Sequence, residues 1–283
     1  METYPKKCLL AAITVALTGP GVARSAPLAI RDIQYTSDPA GNSPFETQVI
    51  DCIGGIVTHR YPGSQPKLTI QDPNEPDGWG GIQIKDWTIG ADLFNTVDVG
   101  DWISLTNVEV EEYRGNTLLK YHADHNPGFQ VESSGNPLPT PKLVSLADIA
   151  APLEGPPGDW YVTDHSAEKY EAMWLKVEDV TVTAMDLGKA DDNYNLHGPA
   201  GDAWASDYMN QDAGANGYHP DVGIGQGFAV VSGILEQYTR LDYGWDYYQL
   251  LTTNSDDLVV PEPASLAMLA VGLALIGRKR RRR

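Results

Sequence analysis

The chain has 283 residues, and 38 acidic against 20 basic side chains give it a formal net charge of −18. An excess of negative charge keeps a protein soluble and works against nucleic-acid binding, whose affinity comes largely from Lys and Arg displacing counterions. The two cysteines, Cys8 and Cys52, exclude a disulfide-stapled scaffold, so stability has to come from apolar burial.

In chain order, Lys6-Lys7 precede an apolar run from Cys8 to Leu17, followed by Gly19-Pro20 and small residues up to Ala26. A charged start, a short apolar core and a small-residue end predict a secretory signal peptide over residues 1–25, removed by signal peptidase after Ser25. Cys8 lies inside this segment without the residues that precede a lipidated cysteine, so no lipid anchor is expected there. Cys52, among apolar neighbours, reads as a core thiol that packs as a small hydrophobe.

Residues 28–134 alternate apolar and polar positions over five runs: 47–59, 67–72, 80–87, 101–114 and 117–122. Alternation at period two marks strands with one buried face. Turn residues separate the runs, notably Tyr61-Pro62-Gly63-Ser64 and Arg114-Gly115-Asn116, and a helical turn fits at 89–95. Five strands with a helical connection after the third predict an OB-type barrel. Residues 135–158, with six prolines, read as a linker. A second set of strands, at 172–184, 194–197, 202–207, 226–239 and 246–251, predicts a second barrel over 159–260, with a polar insertion at 207–225.

The two sets align without gaps at an offset of 125 residues. Val97-Asp-Val-Gly100-Asp-Trp-Ile103-Ser-Leu105 lies over Val222-Gly-Ile-Gly225-Gln-Gly-Phe228-Ala-Val230, and Cys52, Val57 and Thr58 lie over Val177, Val182 and Thr183. That period is far longer than a solenoid unit and implies tandem duplication of a domain. The fold class expected is therefore all-β, with two tandem five-stranded OB-like barrels.

The strings Gly54-Gly55-Ile56-Val57-Thr58, Leu68-Thr-Ile70-Gln71-Asp72-Pro73 and Val99-Gly100-Asp101 resemble the OB-fold modules that accompany bacterial extracellular nucleases. The second copy keeps the closing pattern Tyr248-Gln249-Leu250 before Ser255-Asp256-Asp257-Leu258-Val259. The resemblance implies a nucleic-acid-binding accessory module. It does not imply catalysis, because the Ser-Asp-His and Gly-Asp-x-Asn signatures of those nucleases are absent. No Gly-x-Ser-x-Gly elbow and no P-loop lysine are present either. No catalytic residue is assigned, and the expectation is a protein that binds without transforming.

Two groups of residues are candidates for metal ligation. His122, Asp124 and His125 lack the further ligands that structural zinc sites use. Asp72, Asn74, Glu75 and Asp77 crowd one turn and are the candidate calcium ligands, since hard cations take oxygen donors. The EF-hand spacing is missing, and a solvated acidic loop is the competing reading. Otherwise no cofactor is expected. Among seven Trp and fourteen Tyr, Trp79, Trp87, Trp102, Trp245 and Tyr247 lie on or beside strands and are the candidate ligand-binding aromatics. OB barrels stack bases or sugar rings on such side chains.

The chain closes with Pro261-Glu262-Pro263, an apolar run from Ala264 to Gly277, and a basic cluster beginning Arg278-Lys279-Arg280. The apolar run is shorter than the roughly 20 residues that span a bilayer comfortably. This arrangement resembles the PEP-CTERM sorting signal of bacterial exported proteins. The resemblance implies a transient inner-membrane helix over 261–283, recognition and removal by an exosortase, and a final location in the cell envelope or outside the cell. The residues outside 26–263 hold nine of the 20 basic residues and one of the 38 acidic ones, leaving a body over 26–263 with a net charge of about −26. That charge and the exopolysaccharide setting associated with PEP-CTERM proteins favour an extracellular polysaccharide over nucleic acid as the partner.

Overall fold

The computed structural model describes residues 26–88, 90–155, 159–188 and 191–262. The signal segment 1–25, together with Pro263, Arg278, Lys279 and Arg280 of the sorting motif, lies outside the described residues.

The first half of the chain forms β1 (Val49–Tyr61), β2 (Lys67–Gln71), β3 (Gly81–Asp86), β4 (Trp102–Tyr113), β5 (Asn116–Tyr121) and β6 (Gly128–Ser133). Strands are hydrogen-bonded in the order β1-β2-β3-β5-β4, and β4 pairs back onto β1, so the sheet closes. The β3–β5 pair is parallel and the other barrel pairs are antiparallel. Five strands closed in this order make an OB-type barrel. The strand β6, which the sequence did not announce, adds to β4 outside the closure.

The alternation of β4 explains the core. Ile103, Leu105, Val108 and Val110 point inward, and the phase slips once, near Asn107, which sits at φ 55°. Opposite it the β1 register shifts between Ile50 and Cys52. Such bulges sharpen the twist that a closed barrel needs. A further shift accommodates Gly54, at φ 77°, where a side chain would run into the Ile103 carbonyl. Only glycine meets both conditions. Between β3 and β4, α2 (Asp92–Thr96) stands where a helical turn was expected and drives Leu93 into the core. The short α1 (Ile30–Gln34) adds Ile30 and Ile33 to the same core.

The second half contributes β7 (Lys142–Leu143), β8 (Leu153–Glu154), β9 (Trp160–Tyr161), β10 (Trp174–Leu187), β11 (Asn193–Gly198), β12 (Gly201–Ser206), β13 (Gly227–Arg240), β14 (Trp245–Leu251) and β15 (Leu258–Val259). The order β10-β11-β12-β14-β13, with β13 paired to β10, repeats the first barrel, including the single parallel pair β12–β14. β1 and β10 start at 49 and 174, and β4 and β13 at 102 and 227, so the 125-residue offset is the spacing of equivalent strands.

Two segments behave differently from their compositions. Within 135–158, Val144, Leu146 and Ile149 are buried in the second barrel's core, and β7 runs parallel beside β10. The segment read as a linker is thus packed onto the second barrel, because apolar residues stand between its prolines. In the insertion 207–225, Tyr218 and Val222 also reach that core, in the place that α2 occupies in the first barrel.

The barrels are joined across a polar face. On β2 and β3 the outward positions Thr69, Gln71, Gln83 and Lys85 should be solvated, yet Gln83 is 0 % and Lys85 2 % exposed. The second barrel covers them. Gly81 lies so close to the Ala172 carbonyl that a side chain would not fit. Within the first barrel Gln34 Nε2 donates to the Gly81 carbonyl at 2.7 Å, and across the joint the Trp174 amide donates to Gln71 Oε1 at 3.0 Å.

Candidate functional site

Strands 2 and 3 of an OB barrel, with the loops after strands 1 and 4, are its usual ligand face. In the first barrel most of this face is buried against the second. What stays open is a cleft of about 340 Å³ at its edge. Tyr61 and Gln65 enter from the β1–β2 turn, Lys67 from β2, Lys85 from β3, and Tyr113 and Arg114 from the β4–β5 turn. Across the gap stand Asp192, Tyr208, Glu236, Gln237, Tyr238, Tyr247 and Gln249 of the second barrel.

The cations of the cleft are held in different ways. Lys67 Nζ pairs with Glu236 Oε1 at 3.1 Å and donates to the Tyr208 hydroxyl at 3.0 Å. Burial works to raise the Glu236 pKa, but the Lys67 charge and the hydrogen bonds it accepts hold it below the usual carboxylate range. Tyr208 and Gln249 donate two of those bonds. Lys85 Nζ lies 3.4 Å from the Tyr113 ring centroid. Burial, and secondarily the neighbouring Lys67 charge, push its pKa down to about 8. Arg114 lies 5.3 Å from both the Tyr113 and Tyr238 rings and donates from Nη1 to the Tyr238 hydroxyl. Neither Lys85 nor Arg114 has a carboxylate within ion-pair distance among the described residues.

The sequence-derived aromatics scatter. Tyr247 lines the cleft. Trp245 stands next to it, tilted against Tyr238 at 6.3 Å and stacked on exposed Tyr243 at 5.0 Å. Trp79 packs edge-on against Tyr35. Trp87 meets His122 and Lys120. Trp102 Nε1 donates to the Ile53 carbonyl at 3.3 Å. These three serve packing away from the cleft. The residues that sequence reasoning missed are Lys67, Lys85, Arg114 and the tyrosines around them. The available signal was a lysine on each outward face of β2 and β3 in a body with few cations.

The acidic turn does not gather one donor set. Asp72 Oδ1 accepts from the Asn74 amide and side chain at 2.9 Å, Glu75 pairs with Arg31 at 2.8 Å, and Asp77 pairs with Lys142 at 2.9 Å. His125 turns toward Glu109 at 3.1 Å while His122 faces Asp124 at 3.3 Å. Among the described residues no cluster of three or more His, Cys, Asp or Glu is arranged to hold a metal ion.

Glu168 and Glu171 of the second barrel are buried at the same interface, beside half-buried Glu112 of β4. Burial pushes the Glu168 pKa up to about 8 and raises that of Glu171 well above the carboxylate range, each reinforced by neighbouring carboxylates.

No curated protein matches the chain. Three solved structures overlap it loosely. A murine DNA-binding protein bound to double-stranded DNA gives a TM-score of 0.38 at 10 % identity over 75 % of this chain and 97 % of that one. Fission yeast Pot1 with single-stranded DNA gives 0.32 at 11 % over 82 % and 85 %. A replication protein A heterotrimer bound to single-stranded DNA gives 0.23 at 10 % over 81 % and 69 %. Overlays this loose carry no ligand information. One family signature matches, the PEP-CTERM protein-sorting motif, over residues 259–283. The chain therefore joins two OB-like barrels to the C-terminal sorting signal of an exported, envelope-associated protein.

Proposed function

We propose that this is a non-catalytic binding protein of the cell surface or extracellular matrix, whose barrels hold an extracellular polysaccharide in the cleft between them. The observation that carries the reading is the position of that cleft. It is the open remnant of the first barrel's ligand face, roofed by tyrosines and amides of the second. Its volume stands near the low end of the roughly 300–1,000 Å³ of small-molecule sites and suits one or two sugar units of a polymer. Signal peptidase and an exosortase are the processing partners in this reading, with a transient stay in the inner membrane through the C-terminal segment. The alternative is a nucleic-acid-binding accessory module, which the body charge of about −26 disfavours.

The test is a glycan array probed with the full chain, alongside single-stranded DNA at physiological salt. Glycan retention that is lost in Tyr238→Ala supports the reading. Retention of DNA alone, with a steep salt dependence, sinks it. Mass spectrometry of protein recovered from the cell surface checks the sorting half, with a first residue near 26 and a last residue near 263 expected.

A further inference from the structure

We propose that the cleft reads an isolated acid group on an otherwise neutral glycan, such as a uronate branch, with Lys85 and Arg114 receiving its carboxylate. This rests on the polysaccharide reading and names the class of sugar.

The argument starts from what holds each cation. A lysine as buried as Lys85 ordinarily has a carboxylate partner. Here Lys67 alone is neutralised directly, by Glu236 at 3.1 Å. Lys85 rests on the face of Tyr113 and Arg114 bridges the faces of Tyr113 and Tyr238, so these ring contacts orient both cations without cancelling their charge. Among the described residues the cleft lining carries Lys67, Lys85 and Arg114 against Asp192 and Glu236, a surplus of one positive charge on a chain of net charge −18. An anion entering the cleft meets one donor already desolvated, Lys85, and one half-buried, Arg114, and charge-assisted bonds to such donors are the stronger kind.

The same contacts separate a glycan from a nucleic acid. Single-stranded nucleic acid needs open ring faces for its bases and a track of cations for its phosphates. Lys85 takes one face of the partly exposed Tyr113, Arg114 lies over Tyr238, Lys67 lies 5.4 Å over Tyr208, and Tyr61 meets Tyr208 edge-on at 82°, so no run of open ring faces lines the cleft. Beyond the cleft the strongly acidic surface would repel further phosphates. One surplus charge matches a polymer with sparse acid groups. Gln65, Asn116, Gln237 and Gln249 around the cleft supply amides suited to sugar hydroxyls.

The experiment titrates the full chain with three probes by calorimetry: a xylo-oligosaccharide with a single glucuronate branch, the same oligosaccharide with the carboxyl reduced to an alcohol, and oligothymidylate. The acid form should bind roughly ten- to a hundred-fold tighter than the reduced form, the range expected for losing a charged hydrogen bond. Lys85→Met should collapse that difference and Lys85→Arg should keep it. Should Lys85→Met fail to fold, Arg114→Gln at the half-buried rim carries the same test. Lys85 is faced by Lys67 from β2, Glu236 from β13, Glu111 and Tyr113 from β4, and Arg114 from the β4–β5 turn. As it loses its proton, preference for the acid form should decline as pH rises from about 7 to about 9.5. Equal affinity for the acid and reduced forms overturns the carboxylate subsite and leaves the glycan reading standing. Absence of binding to both sugars counts against this ligand class, with the array then deciding the wider reading. Tighter binding of oligothymidylate replaces both readings with the nucleic-acid one.

Discussion

Glu171 of the second barrel accepts a hydrogen bond from the Thr117 amide of the first, with its Oε1 2.9 Å away. The same oxygen accepts from Gln34 Nε2 at 3.3 Å. One side chain therefore satisfies a backbone group and an amide that the barrel interface has removed from solvent.

Glu171→Ala should leave the Thr117 amide buried and unpaired, while Gln34 Nε2 keeps its bond to the Gly81 carbonyl, a loss of about 1–3 kcal/mol for the one orphaned group. Glu171→Gln keeps an acceptor while removing the charge that burial opposes, so it should be neutral or stabilising. Thermal denaturation of the two variants side by side checks this. A Gln variant as damaged as the Ala variant would show that the carboxylate itself is required.

Stability should be greatest at mildly acid pH and fall as pH rises above about 6.5. Burial keeps Glu168 protonated to about 8, whereas in the unfolded chain it ionises from about 4.5, so the folded state binds the extra proton in that window and loses stability as pH rises. The Asp246 carboxylate, 3.1 Å away, raises the His165 pKa to about 9, and stability from that pair is present below about 6.5 and lost as pH climbs through 9. On the acid side, burial holds His59 neutral down to about 4, so its share of stability declines as pH drops from about 6.5. A melting-temperature profile should show its steepest alkaline loss between about pH 6.5 and 8, and Glu168→Gln should flatten it. A profile flat across that interval would contradict the assignment.

Gly81→Ala should separate the barrels while leaving both cores intact. The added methyl meets the Ala172 carbonyl, backbone against backbone, which cannot yield as a side-chain tip can. A loss of about 1–3 kcal/mol is expected, with unchanged near-ultraviolet signals from core tyrosines such as Tyr194. Proteolysis between the barrels should accelerate.

Chelation should change little. Arg31, Lys142 and the local amide bonds already engage the carboxylates of the Asp72–Asp77 turn. The melting temperature with and without a calcium chelator should agree within about 1 °C, while a drop of several degrees would restore the turn as a cation site.

The barrels were legible because apolar alternation survives translation into strands, as in Ile103, Leu105 and Phe228, and because duplication repeats it. β6 was not, since Gly128–Ser133 pairs with β4 alone and buries little. The two-residue strands β7, β8, β9 and β15 are too short to display any period. The cleft was hidden for another reason. Its side chains occupy outward positions in two modules, with Lys67 and Tyr208 separated by 141 residues and Lys67 and Glu236 by 169. Alternation assigns those positions to water, and only the docking of one barrel on the other removes them from it. The tryptophans do not converge on the cleft, since bulk and ring chemistry serve packing as readily as recognition: Trp79 lies against Tyr35 and Trp102 donates to the Ile53 carbonyl.

β13 has a polarity that bears on how the molecule would be presented. Its early residues Val230 and Val231 hold β15, from which the sorting tail departs, while Glu236, Gln237 and Tyr238 near its far end line the cleft. Six residues of extended chain measure about 20 Å. One strand thus spaces the start of the C-terminal segment from the mouth of the cleft, and any hold on the chain through that segment would leave the mouth at the opposite end of β13.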